Sequence, residues 1–185
     1  MWQKILLLLA DVFAIVCIAR CLLQWAQLNF NHPLAEYSKQ TTDWLIQPLR
    51  KISPPIARWD TACLLAALFV HYLSYLIILL GSGAQLSGQK TLIAALLFTL
   101  LSFTKALAYT LLIGMMTRMI LSFRQPYSPL IAVLNRIFQP LSQPFATLKY
   151  RQYDFSGSII ALLLWLWISA ILPQLHNRLN LWLLN

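Results

Sequence analysis

Ionisable side chains inside long apolar stretches are the residues of this chain best placed to do chemistry. Asp11, His71 and Lys105 each stand within such a stretch. A charged side chain in hydrocarbon costs at least about 2.5 kcal/mol on insertion scales, so each needs a partner or a wet cavity. A hydrogen-bonded aspartate and histidine can lock two helices together or line a proton or cation path, and packing is the more usual role inside membranes.

Spacing predicts that Asp11 and His71 form an intramembrane polar pair. If Arg20 and Asp60 lie level at a membrane surface, Asp11 is nine residues before Arg20 and His71 is eleven after Asp60. At about 1.5 Å per residue, these distances place both side chains roughly 13 to 16 Å deep. Lys105 is predicted to lie nearer the opposite surface, with a side chain long enough to reach part of the gap.

Four more charged residues mark the ends of apolar stretches. Arg20 and Arg118 end two outgoing stretches, and Asp60 and Asp154 begin the two returning ones. Each arginine is therefore a candidate to pair with the aspartate at the neck of its own hairpin. The alternatives are a simple helix cap for the aspartate and an arginine side chain that extends to lipid phosphate.

The rest of the sequence offers little material for catalysis or cofactor binding. A glycine-rich phosphate loop, a His-Glu-x-x-His helix, a Cys-x-x-Cys pair and a serine elbow are all absent from it. A bis-histidine haem site needs two facing histidines at similar depth, whereas His32 and His176 fall outside or at the edge of the apolar stretches. We therefore expect no enzyme, no catalytic residue, no metal and no cofactor.

The three cysteines fall in or beside apolar stretches. A free cysteine in such a place behaves as a small hydrophobe, so Cys17, Cys21 and Cys63 imply no disulfide framework. Cys17 and Cys21 share a helical face with Ala10 and Ala14. This stripe predicts a small-residue seam along which another helix approaches closely.

Four apolar stretches are long enough to hold these side chains inside a membrane. The chain is 59% hydrophobic and only 10% charged, whereas soluble domains carry roughly 25% charged residues. A helix of about 20 mainly apolar residues crosses roughly 30 Å of hydrocarbon. The stretches are residues 5–28, 61–80, 91–123 and 157–175. They predict an all-α membrane protein with four transmembrane helices.

The formal charge of +9 would suggest a nucleic-acid partner in a soluble protein. Here it indicates how the chain is oriented in the membrane, because lysine and arginine gather in cytoplasmic loops. The two longer loops, residues 29–60 and 124–156, hold eight basic residues: Lys39, Arg50, Lys51, Arg58, Arg124, Arg136, Lys149 and Arg151. The opposite side has Lys4, Lys90 and Arg178. We therefore expect no nucleic-acid partner, cytoplasmic long loops and both termini in the periplasm.

The chain also shows two similar halves, residues 1–80 and 91–185, joined by a short connector at 81–90. Each half has an arginine near the end of its first apolar stretch, then prolines and an aspartate at the start of the second. The landmarks are Arg20, Pro33, Pro48-Leu49, Pro54-Pro55 and Asp60 in the first half, and Arg118, Pro129, Pro140-Leu141, Pro144 and Asp154 in the second. The halves are predicted to be tandem parallel hairpins.

Each long loop is predicted to contain one amphipathic helix. Ser128 and Pro129 have the residue types preferred at a helix start, and the apolar residues that follow have helical spacing: Leu130, Ile131, Leu134, Ile137, Phe138 and Leu141. The first loop repeats the pattern with Leu34, Tyr37, Thr41, Trp44, Leu45 and Leu49. Pro48 and Pro140 are expected to break the two helices.

These helices are expected to lie along the cytoplasmic membrane surface, with their basic residues towards anionic lipid headgroups. Packing against a soluble partner is the alternative. The predicted lipid or partner surface comprises Arg50, Lys51, Arg58, Arg136, Lys149 and Arg151.

The landmarks of the first half resemble the repeat of the YggT family of small bacterial membrane proteins. The resembling residues are Arg20, Pro33, Asp43, Pro48-Leu49-Arg50-Lys51, Pro54-Pro55 and Asp60, with a second copy from Arg118 to Asp154-Phe155-Ser156. The resemblance implies a multi-pass protein of the bacterial inner membrane, linked to tolerance of osmotic or salt stress. Relatives in other lineages are associated with cell division or with cytochrome maturation in plastids, and no catalytic residues come with the family.

Two functions remain open from the sequence. The first is a non-enzymatic scaffold or assembly factor that supports envelope homeostasis, with a homo-oligomer or another membrane protein as partner. The second is a small-ion conduit or transporter that acts as an oligomer. A dry bundle with an exposed groove favours the first, and a water-filled path lined by Asp11 and His71 favours the second.

Overall fold

The computed structural model of the chain describes residues 1–27, 33–55, 59–81, 88–124, 128–144, 149–150, 153–154 and 156–184. The helices within these residues are α1 (Trp2–Trp25), α2 (Pro33–Ile52), α3 (Thr61–Gly81), α4 (Gly88–Arg124), α5 (Pro129–Ser142), α6 (Ser156–Leu166) and α7 (Leu172–Leu184). A π-helical turn, Trp167–Ile171, joins α6 to α7. Two strands, β1 (Lys149–Tyr150) and β2 (Tyr153–Asp154), pair antiparallel before α6.

Four of the helical segments are long and apolar enough to cross a membrane: Trp2–Trp25, Thr61–Gly81, Gln89–Arg124 and Gly157–Trp182. They confirm the four predicted stretches. The third is a single helix, α4, of 37 residues, or about 55 Å at 1.5 Å per residue. Because this length exceeds the hydrocarbon thickness, α4 must tilt or extend beyond the bilayer.

The first and third helices pack through small residues. On α1, Ala14 and Cys17 are 0% exposed, and on α3 the same holds for Cys63, Ala66 and Ala67. These residues belong to one buried cluster. The predicted small-residue seam is therefore confirmed, and the helix that lies against it is α3.

The fourth span contains a widened turn that the sequence analysis did not predict. The backbone N–H of Leu172 bonds to the carbonyl of Trp167, five residues back. Pro173 follows at once; it lacks an N–H and its ring clashes with the carbonyl four residues earlier. A π-helical turn is one way in which a helix accommodates such a proline.

The prolines in α2 and α5 do not break these helices, so that prediction is wrong. Pro48 lies inside α2, which continues to Ile52, and Pro140 lies inside α5, which continues to Ser142. A proline near the end of a helix removes only one donor from the ladder. In α2, the turn after the proline also carries Arg50, whose ion pair holds it in place.

The face of α2 that packs inside the protein is distinct from the apolar face that was predicted to lie along the membrane surface. Ser38, Thr42 and Ile46 are buried at spacings of four residues, whereas Tyr37 and Trp44 are 65% and 68% exposed. Two of the three buried residues are polar, so hydrophobic spacing alone could not find this face. The division of the chain into two repeats remains a prediction.

Candidate functional site

Polar residues near the middle of α1, α3 and α4 form one cluster, which we call the mid-span cluster and define as Asp11, His71 and Lys105. Nε2 of His71 lies 3.1 Å from Oδ1 of Asp11, so the structure brings the predicted pair together. Nζ of Lys105 donates to Oδ2 of the same carboxylate at 2.6 Å. The carboxylate therefore joins α1 to α3 and to α4 at once.

Both ring nitrogens of His71 make a polar contact. Nδ1 of His71 lies 3.0 Å from the carbonyl oxygen of Ala67, which can only accept a hydrogen bond. Nε2 faces the carboxyl group of Asp11. A neutral imidazole has one N–H, so two satisfied contacts require one further proton, carried by the imidazole or by Asp11.

Aromatic and hydroxyl groups continue from this cluster towards the end of α3. The hydroxyls of Tyr75 and Ser102 are 2.6 Å apart. The ring of Tyr75 stacks on Phe98, and the ring of His176 lies 4.8 Å from Phe98 between centroids. These contacts tie α7 to α3 and α4.

The second cluster lies where α2 meets α1 and α3. We call it the α2 clamp and define it as Arg20, Thr42, Asp43, Arg50 and Asp60. Nη2 of Arg20 lies 2.7 Å from Oδ1 of Asp43, and its Nη1 donates to Oγ1 of Thr42 at 2.7 Å. The arginine side chain is 2% exposed and that of Asp43 is 24% exposed, so the guanidinium is shielded from solvent more fully than the carboxylate.

The predicted pairing of Arg20 with Asp60 is therefore corrected. Asp60 instead pairs with Arg50, whose Nη2 donates to its Oδ2. The physical reason is that α2 docks between the two expected partners and supplies an opposite charge to each. The Asp60 carboxylate raises the pKa of the Arg50 guanidinium above its ordinary value through this hydrogen bond.

The other predicted neck pair does not form a described contact. Among the described residues, Arg118 has no carboxylate within ion-pair distance. The backbone of Asp154 lies in β2, but its side chain is outside the described part of the structure. Asp43 and Thr42 were not predicted as partners of Arg20. The four-residue spacing of Thr42 from Ser38 and Ile46 is the helical signal that places Thr42 on this face.

The predicted basic surface is described in part. Lys51 and Arg136 are exposed, and Arg50 is partly exposed. Nη1 of Arg136 also donates to the carbonyl of Ala26 at 3.2 Å, which places α5 beside the end of α1. Arg58, Arg151 and the side chain of Lys149 lie outside the described residues.

A dry layer separates the two clusters. Between Asp11 and Arg20 on α1, and between Asp60 and His71 on α3, the facing side chains are small and fully buried. They are Ala14, Cys17, Cys63, Ala66 and Ala67, joined from α4 by Ala106, all 0% exposed. Over about 13 Å of helix, this layer offers cysteine thiols, which are weak hydrogen-bonding groups, and no charged side chain.

The fold defines a helical membrane protein, and comparison with known proteins gives its family. A model described as CCB3/YggT matches residues 1–81. An uncharacterized protein in the proC 3′ region of Vibrio alginolyticus is 31% identical over 138 residues, covering 74% of this chain and 73% of the relative. The chain belongs to the CCB3/YggT family.

Other relatives match more of the chain at lower identity. The uncharacterized protein YggT of Escherichia coli K12 is 26% identical over 180 residues, which cover 94% of this chain and 93% of the relative. An uncharacterized protein of Haemophilus influenzae is 28% identical over 153 residues, covering 82% and 80%. No solved structure matches the chain.

Proposed function

We propose that the protein is a non-enzymatic scaffold or assembly factor of the bacterial inner membrane that supports envelope homeostasis and osmotic or salt tolerance. The observation that carries this proposal is the dry layer between the mid-span cluster and the α2 clamp. An ion path needs polar groups or water along its length, since a bare charge in hydrocarbon is costly. Between Asp11 and Arg20 the fully buried layer offers only cysteine thiols, which are weak hydrogen-bonding groups.

The placement in the membrane is part of the same proposal. The two halves are tandem hairpins whose basic loops face the cytoplasm, with both termini in the periplasm. Helices α2 and α5 lie along the cytoplasmic surface as amphipathic helices. In support, α5 buries Leu130, Leu134 and Phe138 while Asn135 and Arg136 are exposed.

Lipid contact follows from this placement. Exposed basic residues on α2 and α5, such as Lys51 and Arg136, meet anionic headgroups at the cytoplasmic surface. Another membrane protein or a second copy is the partner of the scaffold. The outer faces of the four spans remain for that contact.

A small-ion conduit is the second candidate, and one observation favours it. His71 contacts both a backbone carbonyl and the carboxyl group of Asp11, and pairs of histidine and carboxyl groups inside membranes are typical parts of proton relays. In this reading, an oligomer supplies the part of the path that the dry layer interrupts.

One pair of variants separates the two candidates. Asp11→Leu/Lys105→Leu replaces the charged contact by apolar packing, which a scaffold tolerates and a conduit does not. In a strain lacking the protein, we expect growth in high salt to be impaired. The scaffold proposal expects the double variant to restore growth as well as the wild type does.

Flux measured in proteoliposomes provides the second arm. With a pH-sensitive dye inside the vesicles, we expect proton entry within twofold of protein-free vesicles. Two results together would replace the scaffold by the conduit. The wild type would show flux well above that level, and the double variant would lose both this flux and the ability to restore growth.

A further inference from the structure

A groove between α1 and α4 is a feature that the two ionic clusters do not explain. It has a volume of about 250 Å³, and residues of α2 and α5 also line it. Its lining includes Ile113, which is 51% exposed, so the groove opens sideways on the surface of the spans. Ala19 lies on its α1 wall.

The groove is apolar in spite of the hydroxyl residues that line it. Thr110 and Thr117 on α4 donate their hydroxyls to the carbonyls of Ala106 and Ile113 at 2.8 Å. Their hydroxyls are thus satisfied within α4, which leaves the methyl groups for contact with an occupant. An apolar ligand therefore leaves no polar group of these two residues unpaired.

The dimensions identify the shape of the occupant. The α1 wall runs from Ile15 to Leu23, which is about 12 Å of helix. Its volume of about 250 Å³ lies just below the roughly 300 to 1,000 Å³ of pockets that hold small molecules. A single narrow apolar chain therefore suits it better than a helix about 10 to 12 Å across.

Charge identifies the polar end of the occupant. Leu22 and Leu23 line the groove, and Ala26 is one turn further along α1. Arg136 is exposed and donates to the carbonyl of Ala26, so a guanidinium stands just beyond the end of the groove that Leu22 and Leu23 line. The acid next in sequence to the lining residues of α2 is Glu36, which is exposed and accepts a hydrogen bond from Gln40.

We propose that this groove is a binding site for one acyl chain of an anionic phospholipid, whose phosphate meets Arg136. The inference rests on the membrane placement proposed above and is independent of the scaffold role. A lipid held in this way joins α1, α4 and α5, and its headgroup chemistry sets how firmly α5 is docked.

A photoactivatable phospholipid tests the proposal with the full chain in nanodiscs. A phosphatidylglycerol with a diazirine midway along one acyl chain is crosslinked, and the adducts are mapped by mass spectrometry. We expect adducts concentrated in residues 15–23 and 110–117. Adducts as frequent on the lipid-facing surface of α6 as in these two ranges would overturn the site. A polypeptide crosslinked in the groove would overturn it as well.

Filling the groove provides the matched comparison. Ala19→Phe fills it from α1, and Ile113→Trp fills it from the half-exposed wall of α4, where folding tolerates a larger side chain. Each should reduce the groove adducts at least fivefold. Ala170→Phe, the same change at an exposed span position outside the groove, should leave them unchanged. Equal labelling of wild type and both groove variants would contradict the proposal.

The headgroup is tested with a phosphatidylcholine probe of the same acyl chain. We expect at least threefold more adduct with the phosphatidylglycerol probe, and Arg136→Gln should remove this preference. Arg178→Gln, which neutralises an exposed arginine on α7, should preserve it. Equal labelling by the two probes of the wild type would overturn the assignment of an anionic headgroup.

Discussion

A single carboxylate holds three helices together in the middle of the spans. Asp11 accepts a hydrogen bond on Oδ2 from Lys105 and contacts His71 through Oδ1. Removing one partner of a buried charge pair leaves the other uncompensated, whereas replacing both by apolar residues is often neutral. The energetic role of this cluster is therefore visible only when single and double variants are compared.

Asp11→Leu is expected to destabilise the protein by about 3 kcal/mol, because Lys105 remains charged without its partner. The double variant Asp11→Leu/Lys105→Leu should recover at least half of that loss. Unfolding in detergent micelles, followed by circular dichroism, measures both. Val12→Leu, an apolar change at a neighbouring exposed position, is the control and should change stability little. A double variant less stable than Asp11→Leu would show that the charges are needed for more than compensation.

Arg50→Gln is expected to lower stability by about 2 kcal/mol, since it leaves the buried Asp60 carboxylate without its charged donor. Because the pKa of Arg50 is raised on folding, its contribution is complete below the unfolded pKa and is lost only as pH rises through the folded value. Both values lie far above neutrality. The loss should thus be equal at pH 6 and pH 9 when melting curves are compared.

The neighbouring Lys51 provides the control for this change, because it is exposed and no described ion pair involves it. Lys51→Gln should alter the melting temperature little at either pH. A loss for Arg50→Gln that disappears at pH 9 would mean that the pair does not form as described.

The residue contacts that the sequence predicted are those within one hairpin. Asp11 and His71 were matched by counting residues from a shared membrane surface. The same counting placed Lys105 nearer the opposite surface. Counting residues from one membrane surface cannot give the register of α4 against α1. Arg20 was assigned to Asp60 because the docking of α2, which brings Asp43 to the arginine, depends on a polar face with no hydrophobic periodicity.

At the scale of elements, α5 docks on α4 through a glycine. A Cβ built on Gly114 would lie 3.0 Å from Cζ of Phe138, and Phe138 is only 2% exposed. The buried ring has little room to move, so close approach of the two helices depends on the missing side chain. The lengths and ends of the spans were predictable from hydrophobicity, whereas the close approach of α5 to α4 depends on tertiary contacts.

Gly114→Ala is expected to loosen α5 and to lower the melting temperature by several degrees, because the added methyl displaces Phe138. The thiol introduced by Val133→Cys, at a buried position of α5, should then react faster with a maleimide. Gly157→Ala is the matched control, since its Cβ would lie at an ordinary 3.7 Å from Cε of Met115. Equal reactivity of the Val133→Cys thiol in the Gly114→Ala and Gly157→Ala backgrounds would show that the docking of α5 does not depend on Gly114.

At the scale of the whole molecule, the two ends of the bundle differ. Helices α2 and α5 contact the end of α1, through Arg20 and Ala26 respectively. At the other end, a Cβ on Gly81 would lie 3.4 Å from the ring of Trp2, and Leu179 of α7 packs with the cluster that includes Leu79. Both terminal helices and the end of α3 therefore gather opposite α2 and α5, as tandem hairpins require.

This arrangement turns the charge asymmetry into a prediction of orientation. The α2 and α5 end holds most of the basic residues, so the positive-inside rule places it in the cytoplasm. With a membrane-impermeant maleimide, Lys90→Cys and Arg178→Cys should be labelled in intact spheroplasts, whereas Lys51→Cys should be labelled only after the membrane is permeabilised. The native cysteines are at most 1% exposed, so they should contribute little background, and the unsubstituted protein measures it. If only Lys51→Cys were labelled in intact spheroplasts, the orientation would be the reverse of the predicted one. The α2 clamp, the end of the groove beside Arg136 and Arg136 itself would then lie at the periplasmic face.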